Sequence, residues 1–389
     1  MGGGTVEQQQ SAAASPGDRA FLACAAAALA LHAFVLASIP ALTGGADLLP
    51  HLRLIQQMAE APALRTVYAP AYHVLGAIVA RSVGLEIYPK LFAFAAALVY
   101  IAGFRSFQRA ARLPAAASAL FALSPYAFAL TWCVPKTEAA GYGFALFGLG
   151  RLVSGRWMGA ALWLAATFWF HTASALFFGI AGGIWALARR EPRALAALAA
   201  GTLGSAPLLA AHLAAGCSFG ESLMLSENDY LRATARWSSF AVWDVVVLLA
   251  SPLALGLAAL GTRPRWERDR ALALTCAALV GIYLNEIWLS PFPMRTSLDL
   301  FRGLSLLSVP VSIAGGVALA RHPRAAATAL VASGLWALLC VAWVVPRAYH
   351  VRTFALEELR DLQVARCTFR WRGPAIHRAP RAPHGPDAP

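Results

Sequence analysis

Residues Thr43 to Glu60 read TGGADLLPHLRLIQQMAE. They follow Phe21–Thr43, an apolar run with no Asp, Glu, Lys or Arg, and at once supply Asp47, His51, Arg53 and Glu60. A charge held inside hydrocarbon costs several kcal/mol, so a carboxylate, an imidazole and a guanidinium just past a membrane-length run call for a polar cavity or an interface. From Pro50 onward the stretch has helical spacing, with Leu52, Ile55 and Met58 on one face. Asp47 then has two readings. It caps this helix by accepting backbone N–H groups, or it is a general base in an outward-facing cavity.

The rest of the chain gives the setting. Of its 389 residues, 59% are apolar and 13% charged, where soluble domains carry about a quarter charged residues. That composition excludes the water-soluble classes. Membrane-length or shorter apolar spans are expected at Phe21–Thr43, Leu85–Phe104, Ala115–Val134, Ala139–Gly150, Met158–Phe170, Thr172–Ala188, Leu195–Ala215, Phe240–Leu260, Ala271–Leu289, Leu300–Ala320 and Ala325–Val345. The fold class is therefore all-α, a polytopic membrane protein of about eleven helices. Tyr72–Val83, broken by Arg81, is expected to lie along the membrane rather than cross it. Residues 1–20 are expected to be a disordered cytoplasmic N-terminus, 21–345 the transmembrane domain, and 346–389 an amphipathic helix with a basic, Pro-rich tail.

The net charge of +13 does not point to nucleic acid, because the arginines sit in short loops between apolar runs. RSFQRAARLP, RLVSGR, ARREPR, RPRWERDR and ARHPR alternate with loops that lack such clusters. Placing all five inside satisfies the positive-inside rule and puts the N-terminus inside. The carboxylates then gather at the outer face, and the Arg-rich tail goes outside against the rule. Lys90 and Lys136 are the only lysines, and the six cysteines show no metal-binding spacing.

Three further places could carry chemistry. In CVPKTEAAGYGFALFG, Lys136 and Glu138 occupy a turn between two spans. Glu138 is either a first-turn residue favoured by the helix dipole or a second acid facing Asp47, with Lys136 either a snorkelling charge or a phosphate ligand. In FWFHTASALFFG, His171 is a hydrogen-bonded packing residue or a ligand. In YLNEIWLSPFPMRTSLDLFR, Glu286 needs a cationic partner, and Arg295 suits either that ion pair or a phosphate.

The layout resembles that of GT-C glycosyltransferases, the class of oligosaccharyltransferases, protein mannosyltransferases and aminoarabinose transferases. The resemblance rests on the first span, then GGADLLPHLRLI, then APAYHVLGAIVARSVG, then two spans leading to PKTE, with FHTASALFFGIAG at a later span start. It covers roughly residues 20–190. It implies a bacterial inner-membrane enzyme that transfers a sugar from a polyprenyl-phosphate carrier to a lipid, glycan or protein at the outer face. Asp47 would be the catalytic carboxylate and Glu138 the second acid. His51, Arg53, Lys136, His171, Glu286 and Arg295 would bind substrate. Oligosaccharyltransferases present an Asp/Glu pair where this chain offers one carboxylate, so a divalent cation is an open expectation and no metal ligands are assigned. The alternative is a multi-pass transporter or flippase for a lipid-linked or small anionic substrate. That reading predicts ionisable groups near the midplane and internal repeats, and no repeat is found.

Overall fold

The structure, a computed structural model, describes residues 15–44, 48–60, 70–125, 137–214, 258, 274–277, 304–344, 352–360, 363–364 and 371–372. Asp47, Lys136, Glu286 and Arg295 lie outside the described residues, as do most of the two expected spans between residues 240 and 289.

Helix α1 (Pro16–Ser38) begins earlier than the apolar run does. The Ser15 side chain accepts the Asp18 N–H at 3.2 Å, and Pro16 fills the first position, where a missing N–H has no cost. Residues 16–20, expected to be disordered, are therefore helical. The helix ends at Ile39, held extended ahead of Pro40, and Lys90 Nζ donates to the Ile39 carbonyl at 2.6 Å. The flagged lysine thus caps the C-terminal end of α1, where a cation meets the negative end of the helix dipole.

After β1 (Thr43–Gly44) come α2 (Leu48–Glu60), α3 (Pro70–Val83), α4 (Tyr88–Ala110), α5 (Ala115–Ala122), α6 (Thr137–Val153), α7 (Trp157–Phe170), α8 (Thr172–Arg189), α9 (Pro192–Leu203) and α10 (Ala206–Ala214). Then follow α11 (Leu304–Arg321), α12 (Pro323–Leu339) and the short strands β2 (Arg352–Thr353), β3 (Gln363–Val364) and β4 (Trp371–Arg372). Among the described residues, four helical stretches are long and apolar enough to cross a membrane, Pro16–Ser38, Tyr88–Ala110, Pro192–Ala211 and Pro323–Ala342. Shorter apolar helices cover Trp157–Phe170, Ser174–Arg189 and Ser308–Arg321. This is an all-α membrane protein.

Glycine brings the central helices together. A Cβ on Gly103 would run into the Gly143 carbonyl, and one on Gly143 would lie 2.7 Å from Val99 Cγ1. Near the far ends, Gly150 abuts Phe107 in the same way. Helices α4 and α6 therefore run side by side in the same direction, with backbones close enough for direct packing, as small residues allow in lipid. Gly141 against His171, Gly148 against Phe178 and Gly182 against Leu152 lay α8 along α6 in the same sense. Phe144 and Phe147 stack on Trp163 of the antiparallel α7. Gly316 abuts Ala117, which seats α11 on α5.

These contacts give the bundle two distinct ends. At one, Asp18 pairs with Arg105 and, at 3.3 Å, with Arg109, while Arg105 lies 4.7 Å from the centre of the Phe21 ring. Four of the five Arg-clustered loops lie at this end, and the fifth, 263–270, is outside the described residues. At the opposite end β1 and β2 pair antiparallel, with Thr43 opposite Thr353 and Gly44 opposite Arg352. Phe354 N–H donates to the Leu42 carbonyl at 3.0 Å, and the Thr43 and Thr353 hydroxyls meet at 2.9 Å.

One correction to the expected tail follows. Its described residues form strands and a 3₁₀ turn, Leu356–Leu359, instead of an amphipathic helix. Its pairing places residues 352–354 beside Leu42, Thr43 and Gly44, at the end of the bundle opposite Asp18.

Candidate functional site

Helix α2 is buried on two faces. Leu48, Leu49 and Leu52 pack with Leu42, Phe354 and Leu359, while Ile55 packs with Tyr72 and Tyr88. Pro50 is tolerated because first-turn N–H groups have no helical partner. Helix α3 runs parallel to α2. A Cβ on its Gly76 would lie 2.6 Å from Ile55 Cδ1, and Arg81 Nη2 donates to the Ala59 carbonyl at 2.8 Å.

Between these two helices lies a buried polar pair. His51 Nδ1 and His73 Nε2 are 2.9 Å apart, with the residues 2% and 0% exposed. One ring donates and the other accepts, so the line between them holds a single proton, and two imidazolium rings cannot keep it. Tyr72, also 0% exposed, sets its ring edge-on to His51 at 5.2 Å. Its backbone carbonyl accepts the Tyr88 hydroxyl at 2.7 Å. Burial pushes the Tyr72 phenol well above its usual range, which keeps it a neutral O–H group.

A second cluster forms where α6 begins and α8 is capped. Glu138, 2% exposed, lies in the first turn of α6 and accepts the Tyr142 hydroxyl at 3.0 Å. The Tyr142 ring lies 6.2 Å from that of His171. His171 caps α8, its Nδ1 accepting the Ser174 N–H at 3.2 Å with the Ser174 hydroxyl at 2.7 Å. Both arrangements match the structural reading of each residue. Glu138 sits where the helix dipole favours a carboxylate, and His171 is a cap whose accepting Nδ1 leaves the ring's proton on Nε2 in the neutral form. Gly141 makes room for the cap, since a Cβ there would lie 2.7 Å from His171 Cβ.

Aromatic rings join the two clusters. Tyr72 meets Phe92 edge-on at 4.6 Å, Phe92 stacks on Phe170 at 6.3 Å, and Phe170 precedes His171. His51, Glu138 and His171 therefore share one end of the bundle. Arg53 belongs to the same helix as His51 but turns away from the pair, donating to Gln56 at 3.0 Å. The sequence reading missed His73, Tyr72 and Tyr142. The signal for the first two was present in PAYH, a polar pair opening a helix not expected to span.

Arg53 Nε, Tyr72 Oη and Thr137 Oγ1 are buried polar atoms with no hydrogen-bond partner among the described residues. Each such atom costs about 1–3 kcal/mol, and all three sit at the end that carries His51 and Glu138. Among the described residues, no three His, Cys, Asp or Glu side chains are grouped to hold a metal ion.

The fold is similar to that of arabinofuranosyltransferase AftD from Mycobacteria, solved by single-particle cryo-EM. The TM-score is 0.54 at 18% identity, over 83% of this chain and 26% of that one. The likeness supports a GT-C-like fold, and the chain spans about a quarter of AftD's length. No protein-family model and no curated protein matches the sequence.

Proposed function

We propose that the chain is a membrane glycosyltransferase that moves a sugar from a polyprenyl-phosphate donor to a lipid, glycan or protein acceptor. The observation that carries this reading is the gathering of Glu138, the His51–His73 pair and helices α2 and α3 at one end of a GT-C-like bundle. The polar atoms lacking partners at that end are consistent with groups that meet a polar substrate.

In this reading Asp47, in the connection between β1 and α2, takes the proton from an acceptor hydroxyl. The acceptor oxygen forms a bond to the anomeric carbon as the bond from that carbon to the phosphate oxygen breaks. Polyprenyl phosphate leaves with both electrons of that bond, and Arg53, Lys136 and Arg295 stabilise its charge. One displacement inverts the anomeric centre. Glu138 orients the acceptor, its carboxylate held by Tyr142. The Arg-clustered end faces the cytoplasm of a bacterial inner membrane, and the working end faces outward.

The test is release of polyprenyl phosphate from polyprenyl-phosphoryl pentoses and hexoses in lipid, with envelope extract as acceptor, by wild-type protein and Asp47→Asn. The reading expects release by the wild type and its loss in the variant. Equal release by both removes Asp47 as the base.

A further inference from the structure

We propose that the segment 352–360, downstream of the last apolar helix, is a working part of the transferase site and positions the loop-and-helix unit that carries Asp47 and His51. The geometry is specific. Strand β2 pairs with β1 immediately before the Asp47 connection, and the Phe354 N–H extends the ladder to the Leu42 carbonyl. Phe354 and Leu359 then pack against Leu48, Leu49 and Leu52, on the helix that begins immediately after that connection. The segment therefore grips both flanks of the connection, on Gly44 and on Leu48.

Helix α2 is amphipathic, and a lone amphipathic helix beside a membrane slides and rolls. Here its rotation is fixed from two sides. The Leu48/Leu49/Leu52 face meets the C-terminal segment, and the His51/Ile55 face meets α3. Without the first contact, the roll of α2 would rest chiefly on its α3 side, on Ile55, the histidine pair and the Arg81 bond to the Ala59 carbonyl. A transferase aligning a hydroxyl, a carboxylate and an anomeric carbon is sensitive to such movement, since a displacement of about 1 Å costs on the order of 100-fold in rate. Phe354 and Thr353 are thus positioning residues and touch no substrate in this account.

Given the transferase reading, the test uses full-length protein in lipid and follows release of polyprenyl phosphate from the same donors. Phe354→Asp places a charge against the three leucines. It is expected to lower kcat by ~100-fold while donor KM moves by less than ~3-fold, because the alignment is lost and the carrier's binding surface is kept. Phe354→Ala is the milder variant and serves if the Asp form does not fold. Joining Thr43→Cys to Thr353→Cys by oxidation in the Phe354→Asp background restores the grip without the phenyl ring, and turnover returns. Wild-type turnover in Phe354→Asp, or no rescue by the cross-link, overturns the proposal. If the wild type turns over no donor, the transferase reading and the catalytic role both fail. The docking is then judged alone, through a 43–353 disulfide that forms in the otherwise unaltered chain and is lost with Phe354→Asp.

Discussion

Glu138 is a carboxylate almost wholly enclosed at the start of a helix, where it accepts the Tyr142 hydroxyl. A purely structural first-turn acid tolerates an isosteric amide, whereas a group that orients an acceptor through its charge does not. Glu138→Gln is therefore expected to lower turnover by ~100-fold with little change in thermal stability. Tyr142→Phe removes only the hydroxyl that steadies the carboxylate and should cost less than ~10-fold. Turnover and unfolding temperature measured on the same samples separate the two roles, and an unchanged Glu138→Gln enzyme makes the residue a helix-start acid only. Glu138 and His171 were legible as polar side chains at span ends. The pairing of His73 with His51 was not, because the two lie on different helices and nothing in PAYHVLGAIV announces a contact across the intervening chain.

At the scale of elements, the packing of α4 on α6 depends on Gly103 and Gly143 at a backbone-to-backbone contact. Overpacking such a site costs about 1–3 kcal/mol, so Gly143→Leu should lower the thermal midpoint in detergent clearly. A Gly155→Leu control gauges the same side chain away from the contact, at a turn whose strain from a φ of 72° is local. Equal shifts from both would contradict a special contact at Gly143. Hydropathy found these helices to within a few residues. It missed the start of α1 because Ser15 and Pro16 act through capping geometry, not through hydrophobicity. It also missed β2, because Thr353 reaches a partner 310 residues away, and local pattern carries no trace of that pairing.

At the scale of the whole molecule, the sorting of Arg-clustered loops to one end and of α2, α3, Glu138 and the tail to the other makes a prediction about sidedness. In a cysteine-free background, Cys at Glu60 and at Thr353 should react with a membrane-impermeant thiol reagent from one side. Cys at Arg156 and at Arg190 should react from the other. All four positions are exposed. A tail cysteine that labels from the Arg156 side would contradict the β1–β2 pairing. By charge alone the basic tail, with Arg347, Arg352, Arg360, Arg366 and Arg370, belongs with the Arg-clustered loops, whereas the count of spans set it opposite them. The paired strands and the apolar contact of Phe354 with α2 put residues 352–354 at the end opposite those loops.

The most direct test of the central claim is the fate of a polyprenyl-phosphoryl sugar offered to the purified protein in sealed proteoliposomes with acceptor on the outer side. Free polyprenyl phosphate and a new glycoside of inverted anomeric configuration are expected, both absent with Asp47→Asn. Intact donor moved across the bilayer, with no phosphate-to-sugar bond broken, would contradict it and make the protein a carrier of lipid-linked sugar.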